Sequence, residues 1–285
     1  MIFELEQDKY QNVKPILKGA FEDLVLDAII EGTVSGSVWV DDKITPKTVF
    51  LWDSLEQLFF LSGENSSKVF IDSLRRLINQ TILPEAKKRR HNAFNLLVSP
   101  EERWQDKIDT ILMDKPYFVK KLNTYTFNPS NLTKLATWRD KLPSDYTLKQ
   151  YNEKLLSHDF KNVDIINGWI RACWGSTERF MKEGAGFCII HENTLVSWCQ
   201  SDFAHGNRCE LVVQTDENYR NRGFASLTAS ACVEHFASRN YEVNWRCYST
   251  NVPSIRVAEK IGFEEKARRI VYRFWYDEVG VKKAE

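Results

Sequence analysis

Between an apolar, strand-like run at 209–215 and a longer apolar-periodic stretch at 224–239 lies Arg220-Asn-Arg-Gly-Phe-Ala225. A glycine at 223 lets the backbone approach a ligand closely, and Ala225 keeps the first turn of the following helix narrow. The unpaired N–H groups of such a turn point out of the helix end. Together with Arg220 and Arg222 they suit a diphosphate. Charge-assisted hydrogen bonds contribute about 1.5–3 kcal/mol each and the helix dipole up to about 2, so micromolar affinity is within reach. As a bare string R-x-x-G-x-A is common, and its place between strand and helix gives it meaning. The chain shows neither G-x-G-x-x-G nor G-K-[ST] here, which removes the main support for a nicotinamide or ATP site.

Other chemistries find less. The six cysteines all lie in the second half without a single C-x-x-C, and there are only five histidines, so neither a metal site nor a disulfide frame is expected. Cys232 and His235, three apart, read as core and flank, and no G-x-S-x-G or H-E-x-x-H occurs. Thirty-nine basic residues balance thirty-nine acidic ones, which leaves no whole-molecule positive field for nucleic acid or an anionic membrane. Lys87-Lys-Arg-Arg90 closes an expected helix, where cations favour the dipole. Glu4, Glu6, Asp8 and Lys9 interrupt the opening where a signal peptide would be apolar, and no run reaches a membrane span, so a cytoplasmic protein is expected.

With 43% hydrophobic residues over 285 positions, the chain can build one large domain or two small ones. A helical opening at 13–31 precedes strands at 36–42, 48–53 and 58–61, a helix at 66–90 with Ser66 or Ser67 as cap, a strand at 94–98, a helix from Pro100, and a strand at 119–127. After an aperiodic stretch come one or two helices at 160–182, a hairpin at 186–192 and 195–203, a strand at 209–215, a helix at 224–239, a strand at 243–248, a short helix at 254–260 and a strand at 267–275. The expected division is 1–128, a connection at 129–147, and 148–285, the two halves having similar element strings. The fold class is mixed α/β, a central mixed sheet flanked by helices.

The strand, the loop 220–225, Asn251-Val-Pro-Ser254 and Lys260-Ile-Gly-Phe263 together resemble the GNAT acyltransferase superfamily, over about 160–285. Cys209-Glu210, Trp245-x-Cys247 and Ala258-Glu-Lys-Ile-Gly-Phe263 are similar to a bacterial subgroup that includes zwittermicin-resistance-type acetyltransferases. The resemblance implies acetyl-CoA in an opening between strands 209–215 and 243–248. Its pyrophosphate would lie on Arg220, Asn221, Arg222, Gly223, Phe224 and Ala225, its pantetheine arm along backbone groups of Val213 and Thr215, with Asn251 and Ser254 close by. Asn251 and Ser254 also read as an ordinary helix cap. The first half resembles the same architecture in outline only. Where a cofactor loop belongs it has Ser62-Gly-Glu-Asn-Ser-Ser67, so no acetyl-CoA is expected there.

The expected activity is acetyl-CoA-dependent N-acetylation of a small-molecule primary amine by direct transfer. Glu210, at the start of the strand beside the slot, is the candidate general base, and ion pairing with Arg208 or Arg246 is its competing role. An oxyanion donor is expected from a backbone N–H near 211–213. Many members of the superfamily place a tyrosine where this chain has Ala258, and Tyr248 and Tyr272 are possible substitutes as general acid. Trp169, Trp174, Trp198 and Trp245 lie near the expected acceptor side, with core packing as their default. The alternative to an enzyme is a catalytically inactive GNAT-like module that holds CoA or another ligand.

Overall fold

A computed structural model describes residues 1–276 except Glu22, Glu56, Asn65, Asp114 and Ala136. The chain forms two compact units, one of residues 1–121 with 269–276 and one of residues 122–268. The second unit therefore starts before the expected connection at 129–147, and the closing segment belongs to the first unit.

In the first unit the strands are β1 (Phe3–Glu4), β2 (Gly36–Val40), β3 (Thr48–Asp53), β4 (Leu58–Gly63) and β5 (Ala93–Ser99). Successive pairs from β1 to β4 are antiparallel, and β4 and β5 are parallel. Residues Tyr272–Trp275, the end of a later strand, pair antiparallel with β5. The expected opening helix is broken: α1 covers only Leu24–Ile30, capped by Asp23, after a 3-10 turn at Gln7–Val13 and a short turn at Lys14–Leu17. The expected helix at 66–90 starts as α2 (Lys68–Leu77), with the Ser67 side chain accepting from the Phe70 N–H. It then widens into a π turn at Ile78–Ile82 before Leu83–Lys88, because Pro84 cannot donate to the α-helical ladder. The apolar face of α2 (Phe70, Ile71, Leu74) packs over Phe50, Phe59, Phe94 and Trp104. Arg89 at the far end stacks over Trp52 and pairs with Glu85, so the basic run 87–90 is a solvated helix end.

The second unit contains residues from 122 onward of β6 (Phe118–Phe127), then β7 (Thr147–Gln150), β8 (Gly186–His191), β9 (Thr194–His205), β10 (Arg208–Thr215) and β11 (Glu242–Tyr248), with residues to 268 of β12 (Phe263–Trp275). Its sheet runs β12-β6-β11-β10-β9-β8-β7. All pairs from β7 to β10 are antiparallel, β10 and β11 are parallel, and β11 and β6 are antiparallel. Helices α3 (Val163–Trp174) and α4 (Thr177–Glu183) bury Ile166, Ile170, Trp174 and Phe180 against Cys188, Leu195 and Trp198. On the opposite side α5 (Phe224–Ala237) and α6 (Val252–Ile261) cover Val196, Cys199, Cys209, Leu211 and Trp245. Trp174, Trp198 and Trp245 are core residues, at most 2% exposed, and Trp169 is half-buried. Among the described residues no helix is long and apolar enough to cross a membrane.

Gly186 opens β8 directly under the Tyr151 ring, which an added Cβ would meet. Tyr151 is 3% exposed, so Gly186→Ala is expected to cost about 1–3 kcal/mol of stability through overpacking. Chemical denaturation of the two proteins checks this, and an unchanged midpoint would show that the ring yields freely.

Candidate active site

The two parallel strands of the second unit part company. Arg208–Leu211 pair with Glu242–Trp245, but beyond Leu211 strand β10 continues only with β9, to Thr215↔Ser197. Strand β11 continues with β6, to Tyr248↔Leu122. Residues 212–215 thus present an edge of backbone N–H and C=O groups with no β11 partner. Such an edge accepts an extended amide-bearing chain as a further strand would be accepted. In the first unit β4 and β5 do not part: their register runs from Leu58↔Asn95 to Ser62↔Ser99, one residue short of the end of β4. The loop that follows carries Glu64, and its Asn65 lies outside the described residues.

Below the open edge lies a cleft of ≈ 670 Å³. Val213 and Thr215 line it from β10, Arg220, Asn221, Gly223, Phe224 and Ala225 from the loop and the start of α5, and Asn251 and Ser254 from the start of α6. Nine of the ten residues expected at a cofactor site therefore share one wall. The tenth, Arg222, turns away: it donates from Nη1 to the Tyr146 hydroxyl at 3.1 Å and from Nη2 to the Asn218 carbonyl at 3.4 Å, and lies over the Tyr219 ring. Tyr146 stacks on His191 and Phe224, so Arg222 braces the loop from behind. Residue type at 222 was legible in the sequence and direction was not.

Local geometry explains the loop. Asp216 ends β10 by accepting from the Asn218 N–H at 3.0 Å and from the Asn162 amide at 3.0 Å. These hydrogen bonds, the Asn162 one foremost, and nearby Lys161 hold its carboxyl below the usual aspartate range. Asn221 and Gly223 both take positive φ, 63° and 83°, and Gly223 is the N-cap of α5. A Cβ on Gly223 would meet nothing within 4 Å, so the first turn of α5 faces open space at this point. Asn251 caps α6 by accepting from the Ser254 N–H at 3.3 Å, and the Ser254 hydroxyl receives the Trp245 indole N–H at 3.0 Å. Capping and lining the cleft are thus performed by the same two residues.

Sequence reasoning missed Gln214, Tyr219, Ser226, Arg256 and Lys260, all on the cleft wall. The signal for the last two was their spacing, one helical turn apart just after Asn251-x-Pro. Arg220, Arg256 and Lys260 give the wall three cations, and it carries no carboxylate. Such a lining attracts an anion.

Glu210 lies one residue before the strands part. It is 7% exposed, and its Oε1 pairs with Arg246 Nη2 at 3.0 Å, the Arg246 side chain being 4% exposed. Cys209 and Leu211 belong to the core under α5, so Glu210 lies on the opposite face of β10 and does not line the cleft. On the same face of neighbouring β9, Asp202 accepts from the Cys173 thiol of α3 at 3.2 Å. An extra β9 residue sits opposite the Glu210/Leu211 step, so the irregularity belongs to β9 and the alternation of β10 is kept. Ala258 is fully buried in α6 and offers no proton. Tyr248 ends β11 and Tyr272 packs edge-on against Tyr117 in the first unit's core, and neither lines the cleft. None of the six cysteines, all among the described residues, is in a disulfide. Burial pushes the Cys188 thiol up to about 12 and raises Cys199, Cys209 and Cys247, so these four stay protonated at neutral pH. Among the described residues no group of His, Cys, Asp and Glu could hold a metal ion.

A protein-family model described as GNAT acetyltransferase matches residues 14–272. The uncharacterized N-acetyltransferase YdfB of Bacillus subtilis (strain 168) is 26% identical over 269 residues, 94% of this chain and 97% of that protein. The fold is shared with a GCN5-related N-acetyltransferase-like protein from Streptococcus suis 89/1591, at TM-score 0.67 and 21% identity over 94% of this chain and 98% of that one. A tandem GNAT protein from the clavulanic acid biosynthesis pathway superposes at TM-score 0.57 with 10% identity, over 97% and 98% of the two chains. With a loop at a helix start, parallel strands that part beside it, and a family match over nearly its whole length, the chain belongs to the GNAT acetyltransferase family and is an N-acetyltransferase.

Proposed function

We propose that the second unit binds acetyl-CoA in the cleft and passes its acetyl group directly to a primary amine on a small molecule in the cytoplasm. The carrying observation is the parting of β10 and β11 beside a wall that holds three cations and no carboxylate. Amides of the Gly223–Ala225 turn and Arg220 meet the pyrophosphate, and the open edge at Val213 and Thr215 meets the amides of the pantetheine arm. Asn251 and Ser254 close the wall on the α6 side.

The amine must lose a proton before or during attack on the thioester carbonyl. A C–N bond then forms, the tetrahedral oxygen is held by a backbone N–H near 211–213, and the C–S bond breaks to release thiolate. Because Glu210 is buried and held by Arg246, it acts as base through a water. A thiolate with a reference pKa near 8.5 leaves and is protonated by solvent, which makes the missing tyrosine at 258 tolerable. The protonated state of the four buried thiols supports direct transfer over an acyl-cysteine intermediate on any of them.

Calorimetric titration with acetyl-CoA is the test of binding, followed by thiol release in the presence of a panel of primary amines. Binding at about micromolar Kd and amine-dependent thiol release are expected. A folded sample that takes up no acetyl-CoA overturns the cofactor assignment, and binding with no release for any amine overturns the acceptor class.

A further inference from the structure

On the α3 side of the sheet the Gln200 side chain of β9 is fully buried, and neither its Nε2 nor its Oε1 has a hydrogen-bond partner among the described residues. Its neighbours fix the side: Trp198 packs with Ile166 and Ile170 of α3, and Cys199 between them belongs to the core under α5. A second unbonded group lies next to it. Gly186 is the direct cross-strand partner of Gln200, and the Tyr151 ring fills the space that a Gly186 side chain would take. Paired residues of neighbouring strands project to one face with Cβ positions about 4.5–5.5 Å apart, so ring and amide are neighbours. The Tyr151 hydroxyl is likewise buried and without a hydrogen-bond partner among the described residues. A buried amide left unbonded costs stability at both its atoms, and an apolar side chain of the same shape would not. Packing alone therefore does not account for a glutamine here.

The same row of the sheet ends at the open edge. Gln200 pairs with Val212 of β10, the first residue beyond Leu211↔Trp245, which is the last rung shared with β11. Glu210 lies on this face two residues before Val212. A molecule on the α3 face can therefore hold one end at the gap, near Glu210, and the other at Gln200, about 9–10 Å away as two strand spacings. We propose that Gln200 and Tyr151 are the subsite that recognises the acceptor, and that the group they read is a primary carboxamide, which makes the acceptor an amino amide. A primary carboxamide satisfies both ends of the glutamine at once, its C=O accepting from Nε2 and its N–H donating to Oε1, and its remaining N–H is a donor for the Tyr151 oxygen. A carboxylate has no hydrogen for Oε1, and a trans peptide points its N–H and C=O apart. This rests on the acetyl-CoA reading, because a thioester in the gap is what makes the α3 face the acceptor side.

The test is thiol release from acetyl-CoA by the full chain with ω-amino amides from β-alaninamide to ε-aminocaproamide, each beside the alkylamine of equal length. Wild type is expected to use the best-fitting amide with a kcat/KM about tenfold or more above that of its alkylamine, and Gln200→Met to shrink this ratio to about threefold or less. Because methionine is apolar and of similar volume, Gln200→Met is expected to melt no lower than wild type. Tyr151→Phe serves as the second variant: it removes only an unbonded hydroxyl and is expected to shrink the ratio in the same direction without loss of stability. A wild type that treats amide and alkylamine alike overturns the proposal. So does a ratio that survives Gln200→Met, and a lower melting temperature in that variant then marks the amide as the partner of a buried water. If wild type releases no thiol with any amine, the transfer reading has failed, and calorimetric titration with the ω-amino amides decides the subsite by itself. Heat that is lost in Gln200→Met supports it, and no heat, or heat that the variant keeps, overturns it.

Discussion

Gly223→Glu is expected to weaken acetyl-CoA binding by about 100-fold or more while leaving the protein folded. The left-handed φ of 83° costs a side chain of about 1–2 kcal/mol, and the absence of any atom within 4 Å of the new Cβ adds no clash. Stability therefore falls slightly. In the cleft, however, the new carboxylate stands at the N-terminus of α5, where the diphosphate of the proposed acetyl-CoA would need the same amides and the same Arg220. Losing one or two charge-assisted hydrogen bonds at about 1.5–3 kcal/mol each, with added repulsion, gives the expected factor. Gly223→Ala separates strain from charge, because it carries the same backbone cost without the carboxylate, and it should retain affinity within about tenfold. Calorimetry with a parallel melting curve measures both quantities. Glutamate at 223 with wild-type affinity would place the pyrophosphate elsewhere.

The second large effect concerns Glu210. Replacing it with glutamine removes the carboxylate that pairs with Arg246 Nη2 at 3.0 Å, and breaking a buried pair of this kind costs about 3–5 kcal/mol of stability. Loss of a general base lowers the transfer rate by about 100-fold or more. Glu210→Gln alone mixes the two effects, so the informative protein is the double variant Glu210→Leu with Arg246→Met. Removing both charges from a buried site restores most of the stability. If transfer stays about 100-fold down in the stable double variant, Glu210 serves the chemistry. Recovery of transfer together with stability would make the pair an element of the sheet and remove Glu210 from the mechanism.

Much of the cleft wall could be read in the sequence, because a loop that opens a helix depends on local features. Gly223 after two arginines, a strand before and an apolar-periodic helix after fix the backbone path within a dozen residues, and the structure places the loop there. Caps were legible to within a pair, Ser66 or Ser67 and Asn251 or Ser254, since a cap depends on the next three residues, and Ser67 and Asn251 are the ones used. What failed depends on distant partners. Arg222 faces Tyr146, 76 residues away in sequence, and no local pattern says so. The division of β12 at 268/269 was hidden for the same reason: a strand pattern states which residues alternate and not which neighbour they will pair with.

That division also has a consequence during synthesis. The β5 edge at Ala93–Leu96 is made early, yet its antiparallel partner Tyr272–Trp275 leaves the ribosome only after the whole second unit has been translated. For that interval β5 has paired on its β4 side alone, leaving a row of unused backbone donors and acceptors flanked by Phe94 and Leu96. The nascent first unit thus spends most of its translation time with a sticky strand edge, which is the window in which a chaperone or a neighbouring nascent chain would find it.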